Sequence, residues 1–295
     1  LERRLVLIGH YPPPVVLEPR QSLVEAMIAL DQRGVRHGLV ADEEGRLLGI
    51  LSIRKVLGAI RRGYDSGGVY RALSSTRVED VMWRAPPKVV VGEFSVEDVV
   101  YIMSRLNIGA VAVVDSENRL LGVVSEKHIA GIMALSDIHV AVHEVMTRTP
   151  HTVSRASRII DAIRVMDEYR HRHVPVVGEE GRLEAMITAR DVLDYFSVEE
   201  NLSRLRRGDD SVVEEPVTRI AIGEPATTRP EEDLGRALML MRRRGISGLP
   251  VVDEDNHVLG LVTERDVVTK LPKLIGIELF YDYAKARLYV ARVVS

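Results

Sequence analysis

The chain has 295 residues, 46% hydrophobic and 28% charged, with a net charge of -3 and no Cys. That length serves about two domains with buried cores, and the balance is that of a globular chain rather than a disordered one. Disulfides, thiolate chemistry and Cys-held zinc are excluded. The charge disfavours a general nucleic-acid binder, and no apolar run approaches the roughly 20 residues of a membrane span. No secretory pattern opens the sequence, so cytoplasm is the expected compartment. The chain starts at Leu1 rather than Met, which implies an unusual start or a fragment. Only six of the 40 basic residues are Lys. A bias to Arg suits anion binding, although genome composition or a hot habitat accounts for most of it.

Four segments align without a gap, opening at Pro14, Pro87, Pro150 and Pro225. Asp42, Asp115, Gly178 and Asp253 each follow their proline by 28 residues. Ten further on stand Ser52, Ser125, Thr188 and Thr263, and three beyond those Lys55, His128, Asp191 and Asp266. A register kept four times marks an internal repeat.

Each unit predicts the same elements in order. A short extended piece follows the proline, then a polar step and an amphipathic helix. In the third unit its apolar face is Ile159, Ile160, Ile163, Val165 and Met166. A Gly or His ends that helix, and an apolar strand follows, such as Leu249, Val251 and Val252. An acidic turn rich in Gly or Asn closes a hairpin. Its second strand ends at the Ser or Thr, where a second helix starts. The unit is β-α-β-β-α and the fold class α+β. Repeats are expected over 8–62, 78–136, 142–198 and 217–272, with a tail over 273–295. The prolines lie 73, 63 and 75 residues apart. This long-short-long spacing pairs the first repeat with the second and the third with the fourth, as two modules hinged near 137–145. In the tail, Ile275, Ile277 and Leu279, then Leu288, Val290 and Val293, predict a β-hairpin. An exposed hairpin needs a partner: a second copy in a homodimer, its own module, or a further domain.

The "VPVV" and "LPVVDED" strands, the "GxLxG" approach and the [ST]-x-x-D step resemble the CBS domain, first named from cystathionine β-synthase. The resemblance covers about 8 to 272. Four copies without a catalytic domain resemble stand-alone archaeal CBS proteins and the γ regulatory subunit of AMP-activated protein kinase. It implies a roughly flat disc of two modules, binding adenine nucleotides or S-adenosylmethionine in clefts between paired domains.

The [ST]-x-x-D step has two readings. A Thr at a helix N-cap accepts from the amide three residues on while an acid there reaches back. That cap explains Ser or Thr in every repeat, but not Lys55 and His128 in the acid column, where the helix dipole favours an acid. A carboxylate can also accept from both adjacent hydroxyls of a ribose, with the helix start turned to a phosphate. The resemblance assigns ribose to Asp191 and Asp266 and the phosphate side to Thr188 and Thr263. The first two repeats keep only Ser52 and Ser125, so their clefts are expected to be empty or altered. Arg172 and His173 are candidates for a phosphate, with a solvated helix end as the alternative. Thr152 and Thr227 sit where the family's adenine-contacting strand lies, and Pro175 and Pro250 in the central strands complete the nucleotide-binding set. Ala185 replaces the glycine at Gly49, Gly122 and Gly260, which ranks the Asp191 site below the Asp266 site on the expectation that a methyl narrows the cleft.

The sequence reads as a sensor of AMP, ADP or ATP that regulates an unknown effector protein, with S-adenosylmethionine as the nearest alternative ligand. A scaffold or nucleic-acid-associated regulator is the further alternative. No catalytic motif appears. The His139/His143 and His171/His173 pairs lack a third ligand at metal spacing, so no metal site is expected.

Overall fold

A computed structural model describes residues 8–134, 138–276 and 278–282. It divides into two compact units. One holds residues up to Pro12, Pro87–Pro150 and Ala226 onward; the other holds Pro13–Pro86 and His151–Pro225. The first thus contains repeats two and four, and the second repeats one and three.

In the unit of repeats one and three, each repeat follows the predicted order. Ser22 starts the helix Leu23–Gln32: its amide donates to Glu25 Oε2 at 2.7 Å, and its hydroxyl accepts from the Glu25 amide at 3.3 Å. Those reciprocal bonds satisfy two donors that a helix start otherwise leaves open. The strands His37–Ala41 and Leu47–Ser52 form an antiparallel hairpin, and Val16–Leu17 joins it in parallel. The second helix runs Ile53–Asp65. The third repeat builds the same set from Val153–Ser154, Ile159–Glu168, His173–Val177, Leu183–Thr188 and Ala189–Ser197. The apolar helix faces merge into one core, with Met27, Leu30, Leu57 and Ile60 from one repeat and Ile163, Met166, Leu193 and Phe196 from the other. Each such side chain contributes about 1.5–3 kcal/mol when buried, and one repeat alone has nowhere to bury them. Helices Val69–Ser75 and Glu199–Arg206, from the two long connections, seal this core with Leu73, Leu202 and Leu205.

In the unit of repeats two and four, the second repeat's helices are Val96–Leu106 and Glu126–Met133, and the fourth's are Leu234–Arg244 and Glu264–Thr269. Met103, Ile129, Met133, Leu238, Met241 and Val267 lie in its core.

Spacing pairs the repeats in chain order, whereas the compact units join first with third and second with fourth. The leading strand of each repeat instead lies in the unit that does not hold the rest of that repeat. Trp83–Arg84, in the leading segment of the second repeat, pairs with Leu47–Ser52 of the first. His10, in the leading segment of the first, bridges Val123 of the second. Thr147–Arg148 pairs with Val258–Thr263 of the fourth repeat, and Ile222–Gly223 with Leu183–Thr188 of the third.

This exchange explains the glycine column. A Cβ on Gly49, Gly122 or Gly260 would lie within 2.5 Å of Met82 Sδ, the Tyr11 ring or Met146 Sδ, all on the exchanged strands. Ala185 is tolerated because Ala221 stands where Met82 and Met146 stand in the other strands, and Ala185 pairs with Gly223. The column records strand packing, so it gives no reason to rank the Asp191 site below the Asp266 site.

The tail departs from its expected form. Residues 273–275 belong to a helix, Leu271–Ile275, with Pro272 in its first turn, where a missing amide costs nothing. Residues 278–282 are helical too, and Phe280 is buried in the core of repeats two and four. The described residues of the first expected strand are therefore helical or, at Gly276, a break between two helical stretches, and both stretches bury a side chain, Leu271 and Phe280, in one core. The second expected strand (Leu288, Val290, Val293) lies outside the described residues, as does Asp137 at the start of the expected hinge.

Candidate functional site: the helix starts after the second strand

Four equivalent junctions carry four different chemistries. At Ser52 the hydroxyl makes no capping bond, and Lys55 points to solvent. At Ser125 an imidazole takes the acid's place: the Ser125 amide donates to His128 Nδ1 at 3.0 Å. Burial, then the charges of His10 and Lys127, push His128 down to about 4. The neutral ring has the lone pair that this bond needs.

At Thr188 the cap is complete. The Thr188 amide and hydroxyl donate to Asp191 Oδ2 at 2.7 and 2.8 Å, and the Asp191 amide returns a bond to the hydroxyl at 3.3 Å. Asp191 Oδ1 accepts nothing among the described residues, and the side chain is partly exposed. Burial raises the Asp191 carboxyl while the bonds from Thr188 pull it down. Capping and binding are thus compatible here, since the cap uses one oxygen and leaves the other.

At Thr263 the amide and hydroxyl donate to Asp266 Oδ2 at 2.8 and 2.7 Å. The other oxygen meets Lys270 Nζ at 2.7 Å. That ammonium also donates to the Val145 carbonyl at 2.9 Å and to Thr147 Oγ1 at 3.0 Å. Asp266 is only 4% exposed.

The strands place the remaining candidates. His173 is the sheet partner of Thr188 and is buried; the Arg172 carbonyl accepts from the Ala189 amide at 2.8 Å. Arg172, His173, Thr188 and Asp191 therefore share one end of the third repeat's sheet. In the fourth repeat the small Gly248 is the partner of Thr263. Thr152 is exposed, one residue before the registered pair Val153–Val176; Thr227 holds the same place, one residue before the bridge Thr228–Val251. Pro175 and Pro250 lie deeper, opposite Met186 and Leu261, and the Pro250 carbonyl is taken by the Thr228 amide at 3.0 Å.

Sequence reasoning missed three features. His151 and Tyr169 stack at 3.4 Å with 18° between planes, His171 lies 5.6 Å from His151, and Tyr169 is 49% exposed. These rings stand near the Asp191 end of the sheet; the fourth repeat has Ala226, Arg244 and Ile246 in their places. Lys270 was missed although an acid four residues before a lysine is a readable pair. The arginine inside T-x-R-D was missed as well. Arg265 donates to Glu126 Oε1 at 2.8 Å and to Asn107 Oδ1 at 3.1 Å, and the Arg190 guanidinium covers Gly34, whose φ of +60° and lack of Cβ admit it. Of the paired histidines, His143 Nδ1 lies 2.9 Å from the Pro230 carbonyl. Among the described residues no group of three His, Asp or Glu is placed to hold a metal, and no helix is long and apolar enough to cross a membrane.

Four hairpin-and-helix repeats share cores two by two, each with a Ser or Thr at the start of its second helix. The CBS domain matches at residues 8–62, 78–135, 142–198 and 217–273, and the chain belongs to the CBS-domain family. It is 36% identical to an uncharacterized 33.4 kDa protein in a ribosomal RNA operon of Thermofilum pendens, over 97% of both chains. Its fold is similar to that of MJ1225 from Methanocaldococcus jannaschii, a protein proposed as an archaeal homolog of g-AMPK. The TM-score is 0.78 at 20% identity, over 88% of this chain and 97% of that one. Similarity to homoserine O-acetyltransferase of Methanohalobium evestigatum, 30% identical over 129 residues, spans 44% of this chain and 24% of that enzyme.

Proposed function

We propose that the protein is a regulatory sensor of an adenosine-containing ligand, with AMP, ADP or ATP ahead of S-adenosylmethionine. One observation carries the reading: Asp191 is held rigid through Oδ2 by Thr188 while Oδ1 keeps its acceptor sites. Two lone pairs on one fixed oxygen, with the second oxygen beside it, suit the adjacent hydroxyls of a ribose. Arg172 and His173 at the same sheet end supply positive or donating groups for a phosphate, and the exposed His151–Tyr169 pair offers a flat face to a base. Ser52 with Lys55 and Ser125 with a neutral His128 present no carboxylate, so the first two repeats hold no ribose. A ligand with different affinity for two arrangements of the chain shifts their balance by that difference, which is how binding reaches an effector protein.

The test is calorimetry of AMP, ATP and S-adenosylmethionine on the full chain at near-physiological salt. Asp191→Ala is expected to weaken binding at least about tenfold, or 1.4 kcal/mol, with little loss of thermal stability. Lys55→Ala leaves affinity unchanged. Undiminished binding by Asp191→Ala, or a strong loss in Lys55→Ala, sinks the assignment. A preference for S-adenosylmethionine keeps the ribose step but removes the phosphate role from Arg172 and His173.

A further inference from the structure

We propose that Lys270 is a specificity-determining residue that closes the fourth repeat's carboxylate to ribose, leaving the third repeat as the one adenosine site of the chain. The inference rests on the reading of Thr-x-x-Asp as a ribose-holding step.

The argument is a count of acceptors. An ionised carboxylate offers about four lone-pair sites. In both repeats the threonine amide and hydroxyl occupy two of them on Oδ2. Asp191 keeps the pair on Oδ1, which matches the two donors of a ribose. Asp266 gives one of that pair to Lys270 at 2.7 Å, so a diol can no longer be satisfied in full.

Access points the same way. The Asp266 side chain is 6% exposed, whereas that of Lys270 is 41% exposed, so the lysine lies on the solvent side of the carboxylate. An ammonium has three donors, and Asp266 Oδ1, the Val145 carbonyl and Thr147 Oγ1 engage all three. A ribose reaching Asp266 has to break that set and leave a charge-assisted bond unmade, a cost that neutral hydroxyls do not repay. The exchanged strand Thr147–Arg148 supplies one of the anchors, so the latch is fixed by the fold and not only by its own helix. The third repeat has Tyr195 at the position of Lys270; it packs edge-on against Phe196 and brings no cation to Asp191.

The measurement is AMP stoichiometry by calorimetry on the full chain, for wild type, Asp191→Asn, Asp266→Asn and Lys270→Met. Lys270→Tyr, which installs the third repeat's residue, is the second opening variant should the methionine fail to fold by thermal melt. Wild type is expected to bind one AMP per chain; Asp191→Asn loses at least about tenfold in affinity and Asp266→Asn loses none. Lys270→Met or Lys270→Tyr gains a second equivalent that Asp266→Asn removes again. Two equivalents in wild type, or a wild-type site destroyed by Asp266→Asn and spared by Asp191→Asn, overturns the role of Lys270 while keeping the ribose reading. No AMP bound by wild type or by either opening variant overturns the ribose reading and the proposal together.

Discussion

The two compact units share one backbone plan and fill it with opposite chemistry. At the first residue of the second helix, the unit of repeats one and three has Ile53 and Ala189, each 1% exposed; the unit of repeats two and four has Glu126 at 0% and Glu264 at 7%. Two apolar side chains need only each other's company, whereas a buried acid needs a cation. Arg265 meets that need from the fourth repeat, 139 residues from Glu126 in sequence, and its guanidinium also reaches Asn107, the left-handed residue that ends the helix Val96–Leu106. Its counterpart Arg190 is exposed and lies over Gly34, acting on Asp31 and Asp191 only through its charge. A repeat can therefore keep T-x-R-D while the arginine changes from an ornament of the surface to a structural counter-ion.

The largest expected effect follows from that difference. Arg265→Met removes the guanidinium that meets the buried Glu126 carboxylate and is expected to cost up to about 3–5 kcal/mol. Arg190→Met is expected to cost less than about 1 kcal/mol, as exposed charges do. Urea denaturation of the two variants measures both, and equal losses break the comparison.

One group in each unit answers acid in the opposite direction to the other. His128 is held neutral down to about 4, below the imidazole's ordinary ~6.5. Between those values the unfolded chain binds the proton and the folded chain does not, so the stability that His128 contributes is lost as pH falls. In the other unit burial, and then the Asp194 carboxyl beside it, push Asp31 up to about 6, with Arg190 pulling the other way. There the folded chain takes the proton first, so stability is gained as pH falls from about 6 toward ~4 and lost as it rises again. Denaturation midpoints between pH 7 and 4 should show Asp31→Asn removing the acid gain and His128→Gln removing the acid loss. A variant that leaves the wild-type slope intact shows that its residue does not govern the response.

What was legible in the sequence is what the chain fixes locally. The β-α-β-β-α order, the acidic hairpin turns and the helix starts at Thr188 and Thr263 all rest on neighbours within about ten residues. Which helices share a core was not legible, because the apolar faces of Ile159–Glu168 and Leu234–Arg244 look alike; the choice is visible in cross-repeat pairs such as Arg61 with Asp167 at 2.6 Å, 106 residues apart. The glycine column was seen correctly but misattributed, since Met82, Tyr11 and Met146 come from strands exchanged between repeats. In the site, Thr188 and Asp191 were readable from spacing. The lysine that answers Asp266 was written four residues away, yet its anchors at Val145 and Thr147 exist only in the fold. The tail misled because Ile275 and Leu279 alternate like a strand while Leu271 and Phe280 follow the core.

The smallest effect sharpens the comparison inside one unit. Ser52 and Thr188 open equivalent helices in repeats one and three, but only Thr188 exchanges bonds with the residue three places on. Thr188→Ala removes an acceptor for the Asp191 amide and a donor to its carboxylate, and is expected to cost about 1 kcal/mol, the usual worth of an N-cap. Ser52→Ala removes no capping bond and is expected to change stability by less than about 0.5 kcal/mol. Should the two alanines cost the same in urea denaturation, the serine caps its helix as fully as the threonine does. The acid column then reports only on ligand, and the division of the four helix starts into capped and uncapped falls. If the costs differ as stated, the threonine hydroxyl serves the fold first, and any ligand at Asp191 uses what the cap leaves over.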